Sequence, residues 1–242
     1  MSTLSRDELI KYHTQGFVGP FTAFEPEQAL EYRDFLDKNI IEKIKESTAY
    51  LSNVHIFSKT VYSAITAEPV VNSVKDIVGE DVLLWKASFV PKRPNEISDD
   101  VRWHQDSYYR QMHPFNAVVI WLALDDITLE NGCVEVLPGT HWHDVPHTKA
   151  NDGFFPYEAD ARFFDSAAPV EKLICRAGQF FIFNEKIIHR SDINRSDRKR
   201  IAMVGRFAGT NVYIQSPKTV SILVSGEDNF KYNQITKVPT EL

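Results

Sequence analysis

The feature that most constrains the fold is a series of short apolar segments that begins after Asp81. These segments are rich in β-branched and aromatic residues, and turn dipeptides such as Asn131-Gly132 and Pro138-Gly139 lie between or beside several of them. Such a pattern is typical of strands joined by tight turns. We predict strands at 82–89, 117–124, 133–137, 173–175, 180–183, 202–207 and 221–224. Seven short strands predict an antiparallel sandwich or jelly roll.

The N-terminal third of the chain carries helical patterns instead. Ser5 and Glu8 form a capping box that predicts a short helix over 6–15. Apolar residues recur at helical spacing over 26–44 and again over 69–79, so we predict two further helices there. We expect these helices to pack against the outside of the β-sandwich.

Length and composition fit one globular unit. The chain has 242 residues, of which 43% are hydrophobic and 25% charged, so wholly disordered and low-complexity structures are excluded. A β-sandwich domain can reach this length. We therefore predict a single domain over 1–242, with a helical part over about 1–80 and a β-core over about 81–225.

Charge and hydropathy limit the kinds of partner that the chain is expected to have. The formal net charge is −6 and no basic block is present, which argues against a nucleic-acid partner. The longest apolar run, Ala117 to Leu124, has eight residues, whereas a transmembrane helix needs about 20. The N-terminus is charged where a secretory signal would be apolar. With Cys133 and Cys175 expected as buried, reduced thiols, we predict a cytoplasmic protein, monomeric or homodimeric, with a small-molecule partner.

One local motif points to a metal. Trp103-His104-Gln105-Asp106 places an imidazole and a carboxylate two residues apart, and in an extended segment both then reach the same side. His189, 85 residues further on, follows an apolar segment and supplies a third potential ligand. Two histidines and one carboxylate form a facial triad that leaves coordination positions open, as in non-haem Fe(II) oxygenases. We predict a catalytic metal site at His104, Asp106 and His189.

A candidate anion-binding residue follows this site. Arg200 begins a predicted strand eleven positions after His189. A guanidinium projecting into a barrel needs an acid, and its planar fork suits a carboxylate such as that of 2-oxoglutarate. The alternative is a surface ion pair with Asp192 or Asp197. Three other arginines compete for the same role: Arg195, Arg198 and Arg206.

Several motifs together resemble one known family. They are WHQD at 103–106, WLALDD at 121–126, ENGCVEVLPGTH at 130–141, and AGQ at 177–179 leading to HRS at 189–191 and NRS at 194–196. Over about 80–210 the chain resembles the phytanoyl-CoA dioxygenase family, with the motifs in the family's order. The resemblance implies a double-stranded β-helix, which is a cupin-like jelly roll, behind N-terminal helices.

The resemblance also implies a set of roles. Fe(II) would be held by the predicted triad, with 2-oxoglutarate and O2 as cosubstrates. Arg200 occupies the position that binds the distal carboxylate of 2-oxoglutarate, and Ser191 and Trp121 fall at further cosubstrate contacts. Members that chlorinate replace the carboxylate ligand by Ala or Gly, so the presence of Asp106 favours oxygenation.

The expected activity is hydroxylation of an unactivated C–H of a small-molecule metabolite, with release of succinate and CO2. The same site could instead perform desaturation, epoxidation or cyclisation in biosynthesis. From a different class, the chain could be a jelly-roll binding module without turnover, because a fold does not determine a function.

Substrate contacts are less constrained. Tyr108 and Tyr109 follow the metal motif and could line an entrance or simply fill the barrel. Lys86, on the first predicted strand, could meet an anionic group or point outward. The aperiodic segment 143–169 could form an apolar lid that offers Arg162 or Lys149 to an acidic substrate. The aromatic residues of this lid would be Phe154, Phe155, Phe163 and Phe164.

A second histidine cluster follows the family motif. His141, His143 and His147 could form a zinc site, but no cysteine accompanies them. We expect a structural or supporting role for these histidines.

Overall fold

A computed structural model of the chain describes residues 3–41, 51–151, 153–165, 168–215 and 219–240. Its α-helices are α1 (Arg6–Gln15), α2 (Pro26–Leu36), α3 (Lys59–Ile65) and α4 (Glu68–Val78). A π-helical turn, Asp37–Ile41, continues α2. The capping box predicted for α1 is present, with Ser5 and Glu8 hydrogen-bonded reciprocally. The second helix, predicted over 26–44, is regular only to Leu36, and the last part of the prediction, 42–44, lies outside the described residues.

The strands are short, and most of them pair in antiparallel fashion. In chain order they are β1 (Phe17–Thr22), β2 (Leu51–Ser52), β3 (Val82–Phe89), β4 (Val101–His104), β5 (Met112–His113), β6 (Ala117–Ala123), β7 (Val134–Val136), β8 (His147–Lys149), β9 (Tyr157–Ala159), β10 (Glu171–Leu173), β11 (Gln179–Phe183), β12 (His189–Ser191), β13 (Ala202–Gly209), β14 (Tyr213–Ile214), β15 (Ser221–Ser225) and β16 (Ile235–Thr236).

Two sheets form the sandwich. The major sheet has the order β1-β11-β6-β13-β3-β15-β16, with β2 also paired to β3, and the minor sheet has the order β10-β7-β12-β4. Two small pairs, β5 with β14 and β8 with β9, complete the strands. The result is the predicted mainly β jelly roll with N-terminal helices.

Strand β6 shows why the major sheet is apolar on both faces. Val118 and Ile120 belong to the core shared with the helices, while Val119 and Trp121 belong to the core between the sheets. Successive side chains of a strand point to opposite faces, so a strand covered on both faces reads as an uninterrupted apolar run. Each such side chain contributes roughly 1.5–3 kcal/mol by its burial.

The seven predicted strands overlap β3, β6, β7, β10, β11, β13 and β15. The N-terminal part, which was predicted to be helical over about 1–80, also contains the strands β1 and β2. Strand β1 pairs with β11 at the edge of the major sheet, and its register shifts between Val18 and Phe21. Gly19 and Pro20 interrupt its apolar pattern, and proline within a strand is tolerated at an edge because it cannot donate a hydrogen bond.

The predictions on thiols and membrane segments can also be compared with the structure. Cys133 and Cys175 are buried and free, as expected. Among the helices of the described residues, none combines the length and hydropathy needed to cross a membrane.

Candidate metal centre

The pairing of β4 with β12 brings the two predicted histidine ligands together. His104 stands directly opposite His189 in the register, and their ring centroids are 4.2 Å apart. Asp106 lies in the turn after β4, with Oδ1 3.8 Å from His104 Nε2. All three side chains are buried, and their potential ligand atoms lie within 4.8 Å of one another. The structure thus assembles the predicted triad.

Hydrogen bonds orient both imidazoles toward this centre. His104 Nδ1 lies 2.9 Å from the carbonyl oxygen of Arg102, and His189 Nδ1 lies 3.0 Å from that of Ile187. A carbonyl only accepts, so each Nδ1 carries the proton and each Nε2 presents a lone pair. Burial, reinforced by the neighbouring His104, lowers the pKa of His189 to about 3. Neutral imidazoles with a fixed tautomer are what a divalent metal requires.

Arg206 on β13 holds the third ligand from the opposite sheet. Its Nη2 donates to Asp106 Oδ2 at 2.7 Å, and both side chains are buried. Burial alone would raise the pKa of Asp106, but the charge of Arg206 holds it well below the usual range. Asp106 is therefore ionised, with Oδ2 engaged by Arg206 and Oδ1 directed toward His104. From the sequence, Arg206 was expected only as a competitor of Arg200 for the cosubstrate, and its contact with Asp106 was not predicted.

Gln105 fixes the loop between the two ligands and was also missed. Its Nε2 donates to the carbonyl oxygens of His143 and Lys186, and its Oε1 accepts from the Val145 N–H at 2.8 Å. Its backbone N–H donates to His147 Nε2 at 3.1 Å. A buried amide with these partners rigidifies the His-x-Asp segment.

The second histidine cluster has a structural role in this arrangement. His147 uses Nδ1 to reach the Val145 carbonyl and Nε2 to accept from Gln105. His141 Nε2 bonds the His13 carbonyl at 3.0 Å. Within the described part of the chain, the triad is the one group of three or more side chains arranged to hold a metal.

A small cavity opens beside the triad. Its apolar walls include Val90, Val101, Trp121, Val134, Phe183 and Val204, and Ser191 also lines it. Phe154 and Phe155 close another side, and the Phe155 ring centroid lies 4.8 Å from that of His104. Two of the four predicted lid aromatics thus reach the cavity. Phe163 is exposed, and Phe164 packs against Trp103.

Arg200 is buried behind this cavity rather than lining it. Its guanidinium donates to the carbonyl oxygens of Val90 and Gly132, at 3.1 and 2.7 Å, and lies 5.5 Å from the centre of the Trp121 ring. Burial lowers the pKa of Arg200 to about 10. Among the described residues, its hydrogen-bond partners are carbonyl oxygens and none is a carboxylate.

The two acids considered as surface partners of Arg200 have other partners. Asp192 pairs with Arg195 at 2.6 Å, and the exposed Asp197 lies 3.8 Å from Arg198. The surface ion pair considered for Arg200 is not formed within the described residues.

The candidate substrate residues lie in two places. Tyr109 stacks on Phe155 and donates to the Tyr157 carbonyl at 2.8 Å. Tyr108 stacks on His147, with ring centroids 4.0 Å apart. Lys86 stands opposite Arg206 in the register of β3 and β13.

Arg162 lies elsewhere. Its side chain is exposed, forms an ion pair with Asp160 at 2.5 Å, and does not line the cavity.

The facing sheets and the buried triad define a class: jelly-roll proteins with a two-histidine, one-carboxylate metal centre. The family model for phytanoyl-CoA dioxygenase (PhyH) matches residues 12–202. The chain therefore belongs to the phytanoyl-CoA dioxygenase family.

Curated relatives support this membership. The peroxisomal phytanoyl-CoA dioxygenase of Bos taurus is 24% identical, over 86% of this chain and 80% of the bovine protein. The Homo sapiens protein is 27% identical, over 67% of this chain and 50% of its own length. A phytanoyl-CoA dioxygenase domain-containing protein 1 homolog of Dictyostelium discoideum is 28% identical, over 46% of this chain and 42% of that protein. Apart from the bovine protein, the chain spans about half the length of the curated relatives it matches.

Solved structures share the fold. The non-heme monooxygenase ThoJ in its apo form superposes with a TM-score of 0.82 at 20% identity, covering 96% of this chain and 88% of that one. CytC3 with Fe(II) and alpha-ketoglutarate superposes with a TM-score of 0.73 at 19% identity, covering 100% of this chain and 99% of that one. The epimerase SnoN, in complex with Fe3+, alpha ketoglutarate and nogalamycin RO, gives 0.73 at 19%, covering 87% and 85%.

Proposed function

We propose that the chain is an Fe(II)- and 2-oxoglutarate-dependent oxygenase that hydroxylates an unactivated C–H of a small-molecule metabolite and releases succinate and CO2. The observation that carries the proposal is the convergence of His104, Asp106 and His189, with both Nε2 atoms unprotonated and the carboxylate ionised. Family membership and the fold shared with CytC3 bound to Fe(II) and alpha-ketoglutarate support it.

The donor set fits iron. Two imidazoles and one carboxylate on one side of the ion leave positions for a chelating cosubstrate and O2. Bound there, Fe(II) supplies the coupling between oxidative decarboxylation of 2-oxoglutarate and oxidation of the substrate. Arg206 keeps Asp106 ionised and oriented, and Phe154 and Phe155 limit the access of water.

Arg200, Trp121 and Ser191 form the cosubstrate end of the cavity in this proposal. Trp121 and Ser191 line the cavity, and Arg200 lies directly behind Trp121. A buried guanidinium bonded only to carbonyls among the described residues can still accept an anion. Arg206 is the weaker candidate because Asp106 already engages it.

Substrate contacts are proposed for Tyr108, Tyr109 and Lys86. Tyr109 is close to the triad, since its ring centroid lies 6.4 Å from that of His104. A contribution from Arg162 would require its ion pair with Asp160 to open.

A second candidate is a different oxidation at the same centre, such as desaturation, epoxidation or cyclisation. The fold shared with the epimerase SnoN favours keeping this candidate. Product mass separates hydroxylation or epoxidation, each of which adds one oxygen, from desaturation or oxidative cyclisation, each of which removes two hydrogens. An NMR spectrum of the product then distinguishes the two reactions within each pair.

The test is an anaerobic titration of metal-free protein with Fe(II) and 2-oxoglutarate, followed by the visible charge-transfer band of the chelate. Arg200→Ala should weaken 2-oxoglutarate binding at least tenfold, and Arg200→Lys should be intermediate because it keeps charge without the planar fork. Arg195→Ala is the matched control, since Arg195 forms an exposed pair with Asp192. Absence of the band in folded wild-type protein would contradict the proposal and favour a binding module without turnover.

A further inference from the structure

Lys92 is a fully buried cation that has no role in the function proposed above. It lies just after β3, and its Nζ donates to the carbonyl oxygens of Asp99 and Ser191, at 2.5 and 3.0 Å. Ser191 lines the metal cavity. Lysine is almost never fully buried unless its ammonium is paired or hydrogen-bonded. The ammonium of Lys92 therefore ties the end of β12, beside the cavity, to the segment that follows β3.

Lys92 stands next to Arg200, the residue proposed to bind the cosubstrate. The two residues form an antiparallel backbone bridge, in which each N–H donates to the carbonyl of the other, at 2.8 and 3.0 Å. Gly132 contacts both side chains. Its carbonyl accepts from Arg200 Nη2 at 2.7 Å, and a Cβ on this glycine would lie 2.9 Å from Lys92 Cδ. The two cationic side chains therefore run past the same residue.

The acids near this pair of cations have arginine partners of their own. Four aspartates act electrostatically on Lys92 or Arg200, and each pairs with a different arginine: Asp99 with Arg93, Asp100 with Arg102, Asp125 with Arg33, and Asp192 with Arg195. Within the described residues, the side chains of Lys92 and Arg200 donate to carbonyl oxygens and pair with no carboxylate. Two buried positive charges therefore stand together without a negative partner among these residues.

The protonation of Lys92 reflects this surplus of positive charge. The charged groups that face it are Arg200, Asp99, Asp100 and Asp192. Burial, reinforced by the charge of Arg200, lowers the pKa of Lys92 to about 7. The thiols beside Arg200, Cys133 and Cys175, have raised pKa values, so they supply no negative charge at neutral pH. An anion bound near Lys92 would therefore raise the pKa of its ammonium again.

Both cations lie directly behind residues that line the metal cavity. Lys92 Nζ bonds the backbone of Ser191, and the Arg200 guanidinium lies 5.5 Å from the centre of the Trp121 ring. Ser191 and Trp121 both line the cavity. Charges interact more strongly in a buried site than in water. A carboxylate held between Ser191 and Trp121 would thus be stabilised by both cations.

We propose that Lys92 is a second positioning cation at the cosubstrate end of the cavity: it fixes Ser191 and, with Arg200, stabilises the distal carboxylate of 2-oxoglutarate. The inference rests on the proposed function and adds a residue to it. Two cations at this end would select a keto acid with a second carboxylate over one with an alkyl end. Because the bound carboxylate favours the charged ammonium, binding of 2-oxoglutarate should place a proton on Lys92.

Two keto acids test the inference: 2-oxoglutarate and 2-oxopentanoate, in which a methyl group replaces the distal carboxylate. Each is titrated anaerobically into the Fe(II)-loaded protein at pH 6.5, 7.5 and 8.5 and constant ionic strength, with the charge-transfer band as the signal. The ratio of the two affinities cancels effects of pH on the metal and its ligands. We expect the preference of the wild type for 2-oxoglutarate to fall about tenfold from pH 6.5 to 8.5, as unliganded Lys92 loses its proton. A preference that does not change with pH overturns the inference.

Variants of Lys92 separate its charge from a merely structural role. At pH 6.5, Lys92→Met should weaken 2-oxoglutarate about tenfold and leave 2-oxopentanoate unchanged, and its preference should not vary with pH. Lys92→Arg should bind 2-oxoglutarate tightly at all three pH values, because arginine keeps its charge. Lys199→Met is the matched control, since Lys199 is adjacent to Arg200 but pairs with Asp37 at 2.6 Å.

Circular dichroism checks the folding of each variant. Equal weakening of both keto acids in folded Lys92→Met would mean that Lys92 only supports the fold, and this result overturns the inference. When Lys92→Met does not fold, the pH series on the wild type decides.

The same titrations separate this inference from the proposed function. A band with both keto acids, together with a preference that is independent of pH, overturns the role of Lys92 and leaves the oxygenase proposal standing. Absence of a band with either keto acid in folded wild-type protein contradicts the oxygenase proposal, and the role of Lys92 fails with it.

Discussion

The two facing sheets of the jelly roll contribute different parts of the site. The minor sheet supplies His104 and His189 from strands of four and three residues. The major sheet supplies Arg206 and Lys86 from strands of eight residues, whose outer face packs against the helices. The two histidine ligands therefore stand on the short strands, and Asp106 lies in the turn after one of them. Arg206, which pairs with Asp106, stands on a long strand.

The two sheets orient their site residues in different ways. Short strands bury little apolar surface, so the orientation of the histidines depends on hydrogen bonds to carbonyls and on the Gln105 clamp. Arg206 instead projects from a strand that is buried along its whole length. The hydrogen bond between Arg206 and Asp106 joins the two sheets. Substitutions in the minor sheet and in the major sheet should therefore have separable effects.

The largest effect is expected when a ligand is removed from the minor sheet. His104→Ala should weaken Fe(II) or Co(II) binding by more than the roughly 10–100-fold that loss of a supporting contact costs. The control is His143→Ala, which removes an exposed imidazole from the adjacent histidine cluster. A Co(II) absorbance titration measures both variants, and circular dichroism checks folding. Equal metal affinity in His104→Ala and wild type would contradict the triad.

A smaller effect is expected from the contact between the sheets. Arg206→Met should weaken Co(II) binding roughly 10–100-fold, because Asp106 loses the group that orients it and keeps it ionised. Removing a positive charge near a dication acts in the opposite direction, but both side chains are buried and the loss of orientation should dominate. Arg206→Lys should fall between, since it keeps the charge. Tighter metal binding in Arg206→Met would show that repulsion dominates.

A change on the outer face of the same strand should affect stability alone. Gly205 faces α3, and a Cβ there would lie 2.5 Å from Ile65 Cγ1. Gly205→Ala should therefore lower the free energy of unfolding by about 3 kcal/mol through overpacking, with Co(II) affinity unchanged in the folded protein. Urea unfolding followed by metal titration measures both quantities. Loss of metal affinity would mean that the two faces of β13 are coupled.

The sequence predicted the parts of the molecule whose chemistry is local. His104 and Asp106 form a two-residue motif, and β6 is apolar at every position because both of its faces are covered, so each could be recognised from its own segment. His189 was recognised because its residue type completes a known ligand set. The roles proposed for Arg200, Ser191 and Trp121 came from the family resemblance and remain to be tested.

The parts that could not be predicted depend on contacts between distant segments. Arg206 meets Asp106 across the sandwich, 100 residues away, and no spacing in the chain indicates that pairing. The short strands β8 and β9 pair within the predicted loop without an alternating apolar pattern. Gln105 reads as an ordinary polar residue until three backbone groups are seen to surround its amide.

The smallest effect is expected at Glu185, a buried acid that interacts electrostatically with both Arg206 and Asp106. Burial raises the pKa of Glu185 from its ordinary 4.5 to about 7. A carboxyl with a raised folded-state pKa contributes stability that is fully present below its unfolded pKa and is lost as the pH rises through the folded value. Relative to Glu185→Gln, the metal-free wild type should therefore lose about 2 kcal/mol of unfolding free energy between pH 5 and pH 7.

Urea unfolding at each pH measures this loss, and Glu130→Gln, at an exposed position, is the control that should follow the wild type. Parallel curves for wild type and Glu185→Gln would mean that the carboxyl is ionised throughout this range. In that case the positive charges of Arg206, Arg110 and Lys86 compensate its charge.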